Sequence, residues 1–86
     1  MNKKSLQVQV RSRQGLFFEG ELFAVSSFNA AGKFDVLPDH TNFISMIQKE
    51  IILRRADGKT DEIGVENGVM MVENNKVMVF LGVAKV

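Results

Sequence analysis

Lys33-Phe34-Asp35-Val36-Leu37-Pro38-Asp39-His40-Thr41 holds the only proline and the only histidine of the chain. Apolar, strand-like runs flank the pair, Phe34 to Leu37 before it and Phe43 to Ile47 after it. Proline has no N–H and fixes its own φ near −65°, so it does not sit inside a central sheet. It also drives Leu37 towards an extended conformation. The stretch therefore predicts a strand that stops at Leu37, an exposed corner at Pro38-Asp39-His40, and a second strand from about Asn42. A short loop carried by two core-anchored strands is how a rigid scaffold offers side chains to a partner.

Outward from the corner the same pattern repeats. Leu6, Val8 and Val10 alternate with Gln7, Gln9 and Arg11, which is the period of a half-buried strand. Ser12-Arg13-Gln14-Gly15 reads as a turn, and Leu16 to Glu19 as a short strand that Gly20 interrupts. Glu21 to Ser26 continues extended, and Asn29-Ala30-Ala31-Gly32 turns back towards the corner strand. Beyond the corner, polar Gln48-Lys49-Glu50 divides Phe43–Ile47 from Ile51-Ile52-Leu53. Asp57-Gly58 is a hairpin signal, because both residues tolerate positive φ. Asn67-Gly68 reads as a turn or a bulge and Asn74-Asn75 as a turn, and the last strong strand is Val77–Leu81. Turn signals every eight to twelve residues, with no sustained helical period, predict an all-β fold. The expectation is one small antiparallel β-sandwich over residues 1–86, of about ten short strands, with no C-terminal helical hairpin.

Composition narrows the possible functions. A chain of 86 residues supports one core and buries roughly 60% of the surface that its unfolded form exposes. Eleven basic against ten acidic residues leave a net charge of +1, too balanced for the one-signed footprint of a nucleic-acid binder. There are no cysteines, which removes disulfides, thiolate metal sites and cysteine nucleophiles together. No apolar run is long enough to span a membrane as a helix. The start, with Lys3 and Lys4 followed by an alternating stretch, does not read as a secretion signal. A cytosolic protein, or one that meets a membrane machine from the cytosolic side, is expected.

Catalytic or metal chemistry finds little support. His40 has Asp35 and Asp39 nearby, but a metal needs three or four convergent ligands. A general base needs a nucleophile and an orienting group in reach. The glycines are dispersed and form no phosphate cradle ahead of a helix. No catalytic, cofactor or metal residues are assigned. Interface signals are better. Neighbours on a strand face opposite sides, so Phe17 and Phe18 cannot both enter the core, nor can Met70 and Met71. Ile51-Ile52-Leu53 raises the same conflict. Three such runs suggest more apolar surface than a small core hides, which favours a protein-binding module.

Motifs in order along the chain resemble a known family. Gln14-Gly15-Leu16-Phe17-Phe18-Glu19-Gly20-Glu21 is similar to its "G-x-x-F-E-G-E" bend, after the opening strand Leu6–Val10. Gly32 to His40 resembles "G-E-L-G-I-L-P-G-H", and Ile52 to Lys59 resembles "V-R-I-R-R-A-D-G-K". Gly64 to Val72 and Lys76 to Val79 resemble "V-S-G-G-F-V-E-V" and "K-V-T-V-L". The family is the N-terminal β-sandwich of the epsilon subunit of rotary F-type ATP synthases, called delta in mitochondria. Asp35 and Asp39 replace two of its glycines, Asn67 replaces a third, and Thr41-Asn42-Phe43-Ile44 replaces "A-P-L-L". Asp and Asn are the non-glycine residues that best tolerate positive φ.

The resemblance implies a non-catalytic central-stalk subunit that binds the gamma subunit and the membrane rotor ring of a proton-translocating ATP synthase. It would couple rotation to ATP synthesis as a peripheral protein on the cytoplasmic face of the inner or plasma membrane, with no cofactor and no nucleic acid. It implies rotor-ring contact by Lys33, Asp39, His40, Thr41 and Asn42. Gamma contact is placed at Phe17, Phe18, Met70 and Met71. The alternative is a generic β-sandwich interaction module of another assembly.

Overall fold

A computed structural model of the protein describes residues 4–82. The start at Met1–Lys3 and the tail Val83–Val86 lie outside the described residues. Seven strands make up the structure: β1 (Leu6–Ser12), β2 (Gly15–Leu22), β3 (Ala24–Asn29), β4 (Gly32–Val36), β5 (Phe43–Arg54), β6 (Thr60–Glu73) and β7 (Lys76–Leu81). No helix occurs among the described residues. The strands form one sheet in the order β2-β1-β7-β6-β5-β3-β4. All pairings are antiparallel except that of β1 with β7. These are the first and last strands, so the whole chain serves as their crossover and a parallel pairing needs no tight turn.

The all-β expectation holds, with seven strands among the described residues in place of about ten. Strands β5 and β6 are long, with 12 and 14 residues, and each was expected as two. Gln48-Lys49-Glu50 and Asn67-Gly68 look like breaks, but the ladder runs on past them: Ile47 pairs with Gly68, Lys49 with Val65 and Glu50 with Gly64. The β5–β6 register shifts between Ile47 and Lys49, and Lys49 has φ 72°. A bulge of this kind bends both strands at once. Residues 43–47 of β5 pair only with β6, while its second half also pairs with β3. The sheet thus divides into two leaves around a shared core. Gly20 does not interrupt β2, which runs unbroken to Leu22.

The core draws on all seven strands. Leu6, Val8 and Val10 from β1 pack in one cluster with Val25, Val36, Leu53, Met70 and Val77, among others. Rows of paired residues explain this. Val10, Val79 and Met70 lie side by side, as do Val8, Val77 and Val72. Ile51, Ile52 and Leu53 are all buried, against the expectation that one would be surplus. Ile52 points away from the core but lies between Ser26 on β3 and Glu62 on β6, whose strands flank it on both sides.

Gly68 on β6 pairs with Leu81 on β7. A Cβ there would sit 2.6 Å from the Phe80 carbonyl oxygen, so no larger residue fits without moving backbone. At the far end of the β5–β6 hairpin, Arg55 pairs with Asp61 at 2.5 Å, an exposed ion pair at the strand end.

Candidate functional site

Two surfaces stand out: the corner between β4 and β5, and the outer face of the leaf built from β2, β1, β7, β6 and the first half of β5.

The corner is a turn over Leu37–His40. The His40 N–H donates to the Leu37 carbonyl at 3.1 Å, and Asp39 has φ 68°. Pro38 in second place and a left-handed residue in third define a type II turn, whose third position usually demands glycine or asparagine. Asp39 is held there by its neighbours. Its N–H donates to Asn75 Oδ1 at 2.6 Å, and its carboxylate accepts from Asn75 Nδ2 at 3.3 Å and pairs with Lys4 Nζ at 2.5 Å. The hydrogen bond from Lys4, and then that from Asn75, hold the Asp39 carboxyl below its ordinary pKa. Asn42 Oδ1 accepts from the Asn74 N–H at 3.0 Å. Asn74 and Asn75, with φ 51° and 64°, form the tight β6–β7 turn. That turn therefore fastens the corner at two points. Asp35 and Asn67, the other residues at family glycine positions, have no positive φ.

His40 is half-buried. Its Nδ1 lies 2.7 Å from the Thr41 carbonyl, and its ring sits 5.0 Å from Phe43. Phe43 in turn meets Phe34 edge-on at 5.7 Å. No three His, Cys, Asp or Glu residues converge for a metal among the described residues. The structure brings Asp39, His40, Thr41 and Asn42 together but not Lys33. Lys33 pairs with Phe28 at the opposite end of β4, about 13 Å along the strand from Leu37.

The outer face is read from the register. One row across the leaf runs Leu16, Arg11, Phe80, Val69, Met46, and the next runs Glu19, Gln9, Met78, Met71, Ile44. The half over β1 and β2 is mostly polar and bonded to itself: Gln9 donates to Glu19 at 2.7 Å and Gln7 to Glu21 at 2.9 Å. The half over β5, β6 and β7 is apolar across these two rows, and the exposed pair Glu73 and Lys76 borders it in the next row. Ile44 is 69% exposed, Met46 60% and Phe80 37%, with Val69, Met71 and Met78 half-buried among them. An open groove of about 390 Å³, lined by Asn42, Phe43, Ile44, Met71, Val72 and Glu73, joins this patch to the corner.

The expected contact residues divide on this geometry. Phe17 falls at a bulge where Arg11 pairs with Leu16 and Val10 with Phe18, and it is 60% exposed. Phe18 packs against the core. Met71 lies on the outer face, but Met70 is fully buried and cannot touch a partner. Ile44, Met46, Phe80 and Leu16 went unnoticed in the sequence. The signal for the first two was present: in Phe43-Ile44-Ser45-Met46-Ile47 the even-numbered apolar residues take the face opposite Ile47.

An all-β chain of two leaves around one core, with a fastened corner loop and one apolar face, is the class these features define. A family model, that of the ATP synthase delta/epsilon chain β-sandwich domain, matches residues 5–85. Among similar proteins, the ATP synthase epsilon chain of Francisella tularensis subsp. tularensis is 32% identical over 81 residues, covering 94% of this chain and 56% of that protein. That of Bordetella petrii is 36% identical over 81 residues, covering 93% and 57%. In fold, the chain resembles one in the Euglena gracilis mitochondrial ATP synthase solved as OSCP/F1/c-ring. The TM-score is 0.85 at 13% identity, over 92% of this chain and 51% of that one. A chain of the Tetrahymena thermophila mitochondrial ATP synthase central stalk/c-ring gives a TM-score of 0.75 at 9% identity, over 94% and 66%.

The chain belongs to the delta/epsilon β-sandwich family of ATP synthases. It spans a little over half the length of the bacterial epsilon chains it matches.

Proposed function

We propose that this chain is the partner-binding sandwich of a central-stalk subunit in a proton-translocating F-type ATP synthase. It performs no catalysis. It joins the gamma subunit to the membrane rotor ring so that rotation is coupled to ATP synthesis, as a peripheral protein on the cytoplasmic face of the inner or plasma membrane. The observation that carries the reading is the contiguous apolar face of Ile44, Met46, Phe80, Met71 and Met78 on a chain of this family. An interface core of this composition suits the gamma subunit, since Met and aromatic residues are enriched where partners exclude water. Phe17 and Leu16 extend the contact at the end of the β1–β2 hairpin. The corner residues Asp39, His40, Thr41 and Asn42 face the rotor ring, where a loop held in one conformation meets another polar loop at little ordering cost.

Co-expression with the gamma subunit from the same source, followed by size-exclusion chromatography, tests the first contact. One-to-one co-elution is expected, and Ile44→Asp should weaken it by about a hundredfold, because a buried carboxylate would lack a partner. Clean separation of the unaltered chain from gamma would instead favour a sandwich that serves another assembly. For the ring, a cysteine at Thr41, which is exposed, should crosslink to the polar loops of ring subunits in assembled membranes. Absence of that crosslink, with gamma binding intact, would remove the ring contact alone.

A further inference from the structure

Three of the four described methionines share one surface. Met71 and Met78 are directly paired across β6 and β7, and Met46 lies in the neighbouring row on β5. The fourth, Met70, is next to Met71 in sequence but points the other way and is completely buried. We infer that Met46, Met71 and Met78 form an oxidation-sensitive docking face, which hydrogen peroxide converts to sulfoxides only while the chain is free of its partner. The inference rests on the outer face being the gamma contact.

The chemistry is an oxygen transfer. The thioether sulfur attacks one peroxide oxygen, the O–O bond breaks, an S=O bond forms, and the other oxygen leaves as water. Sulfur is oxidised by two electrons and peroxide is reduced by the same number. A thioether is apolar and adaptable, which suits a face that must mould to a partner. A sulfoxide is polar and chiral, and methionine sulfoxide reductases reverse it. On this face the sulfoxide oxygens of Met46 and Met71 would lie among Ile44, Val69 and Phe80, with no donor in that group once water is excluded, while Met78 borders Gln9 on β1. Exposure sets the order of attack: Met46 at 60% first, then the half-buried pair. Gamma binding covers all three sulfurs, so assembly and oxidation oppose each other.

The test is to treat the free chain with hydrogen peroxide and read each methionine by peptide mass spectrometry. Met46 should oxidise fastest, Met71 and Met78 next, and Met70 not at all while the circular dichroism of the fold persists. The oxidised chain should bind gamma about tenfold more weakly or worse, since buried sulfoxides at Met46 and Met71 lack a hydrogen-bond partner. Reductase treatment should restore the affinity. M46L/M71L/M78L, whatever its own starting affinity, should bind equally before and after peroxide. Oxidation of Met70 at a rate like that of Met46, or unchanged affinity with all three outer sulfurs oxidised, would overturn the inference. If the untreated chain fails to bind gamma, the docking reading falls by itself. Retention on a hydrophobic-interaction column then decides the rest. Shorter retention after peroxide in the unaltered chain, but not in the leucine variant, upholds the sensitive face, and equal retention ends it.

Discussion

At the corner, Asp39 is held by Asn75 and Lys4, and Asn42 by the backbone of Asn74. On the outer face of β5, Ile44 and Met46 project at 69% and 60% exposure over a row of other apolar side chains. Both regions adjoin the start of β5, a few residues apart. The corner satisfies its polar groups within the chain and is already in one conformation. The apolar face gains nothing until something covers it. Affinity should therefore come from the face, while the corner supplies geometry.

The sharpest way to break this contrast uses two adjacent methionines. Met70→Ala removes a fully buried side chain from the shared core and should cost about 3 kcal/mol, lowering Tm by roughly 15 °C. Met71→Ala, one residue on, should cost under about 1 kcal/mol of stability and act instead on gamma binding. Equal thermal shifts for the two variants would mean that β6 does not present opposite faces as described. Gly68→Ala comes next. Its Cβ would press on the Phe80 carbonyl, so overpacking should cost about 1–3 kcal/mol and displace β7, which carries Met78 and Phe80 onto the apolar face. Denaturant unfolding measures the first effect and gamma affinity the second. A neutral outcome in both would show that β7 can move without consequence for docking.

Loosening the corner should matter less. Asn75→Ala removes the acceptor of the Asp39 N–H and puts a residue poorly suited to φ 64° into the β6–β7 turn, a cost of about 1–2 kcal/mol. Hydrogen exchange at the Asp39 amide should accelerate more than exchange in the core strands. If the core amides changed equally, the corner would be part of the global fold and not a separately fastened loop.

How far the sequence disclosed these two regions follows from what each is made of. The corner was visible because Pro38 and an Asp in a position that tolerates φ > 0 leave a local signature. Its fastening was not, because Lys4 and Asn75 lie 35 and 36 residues away in the chain. The strands were legible from alternation, but the continuity of β5 and β6 was not. A polar triplet inside a bulged strand has the same composition as a hairpin turn, and only the register with the partner strand tells them apart. Met70 and Met71 show the same limit. Alternation says that one of two apolar neighbours must face out, and only the register against Val79 and Met78 says which.

The smallest effect is electrostatic and bears on whether the corner's order depends on charge at all. In the folded chain the Asp39 carboxyl titrates below its ordinary value, first because Lys4 donates to it and then because Asn75 does. A carboxylate with a depressed folded pKa contributes stability that is fully present above its unfolded value. That contribution fades as pH falls through the folded one. The group is exposed, so solvent and salt screen the pair and its part in global stability is slight. A local probe is more telling: the Asp39 amide should exchange faster relative to core amides as pH drops below about 4, once exchange rates are corrected for their own pH dependence. Asp39→Asn should abolish that acid-dependent loosening, since no carboxylate remains to be protonated. If the loosening persists in Asp39→Asn, the acid response comes from another carboxylate, and the Asn75 side chain fastens the corner without help from the Lys4 charge.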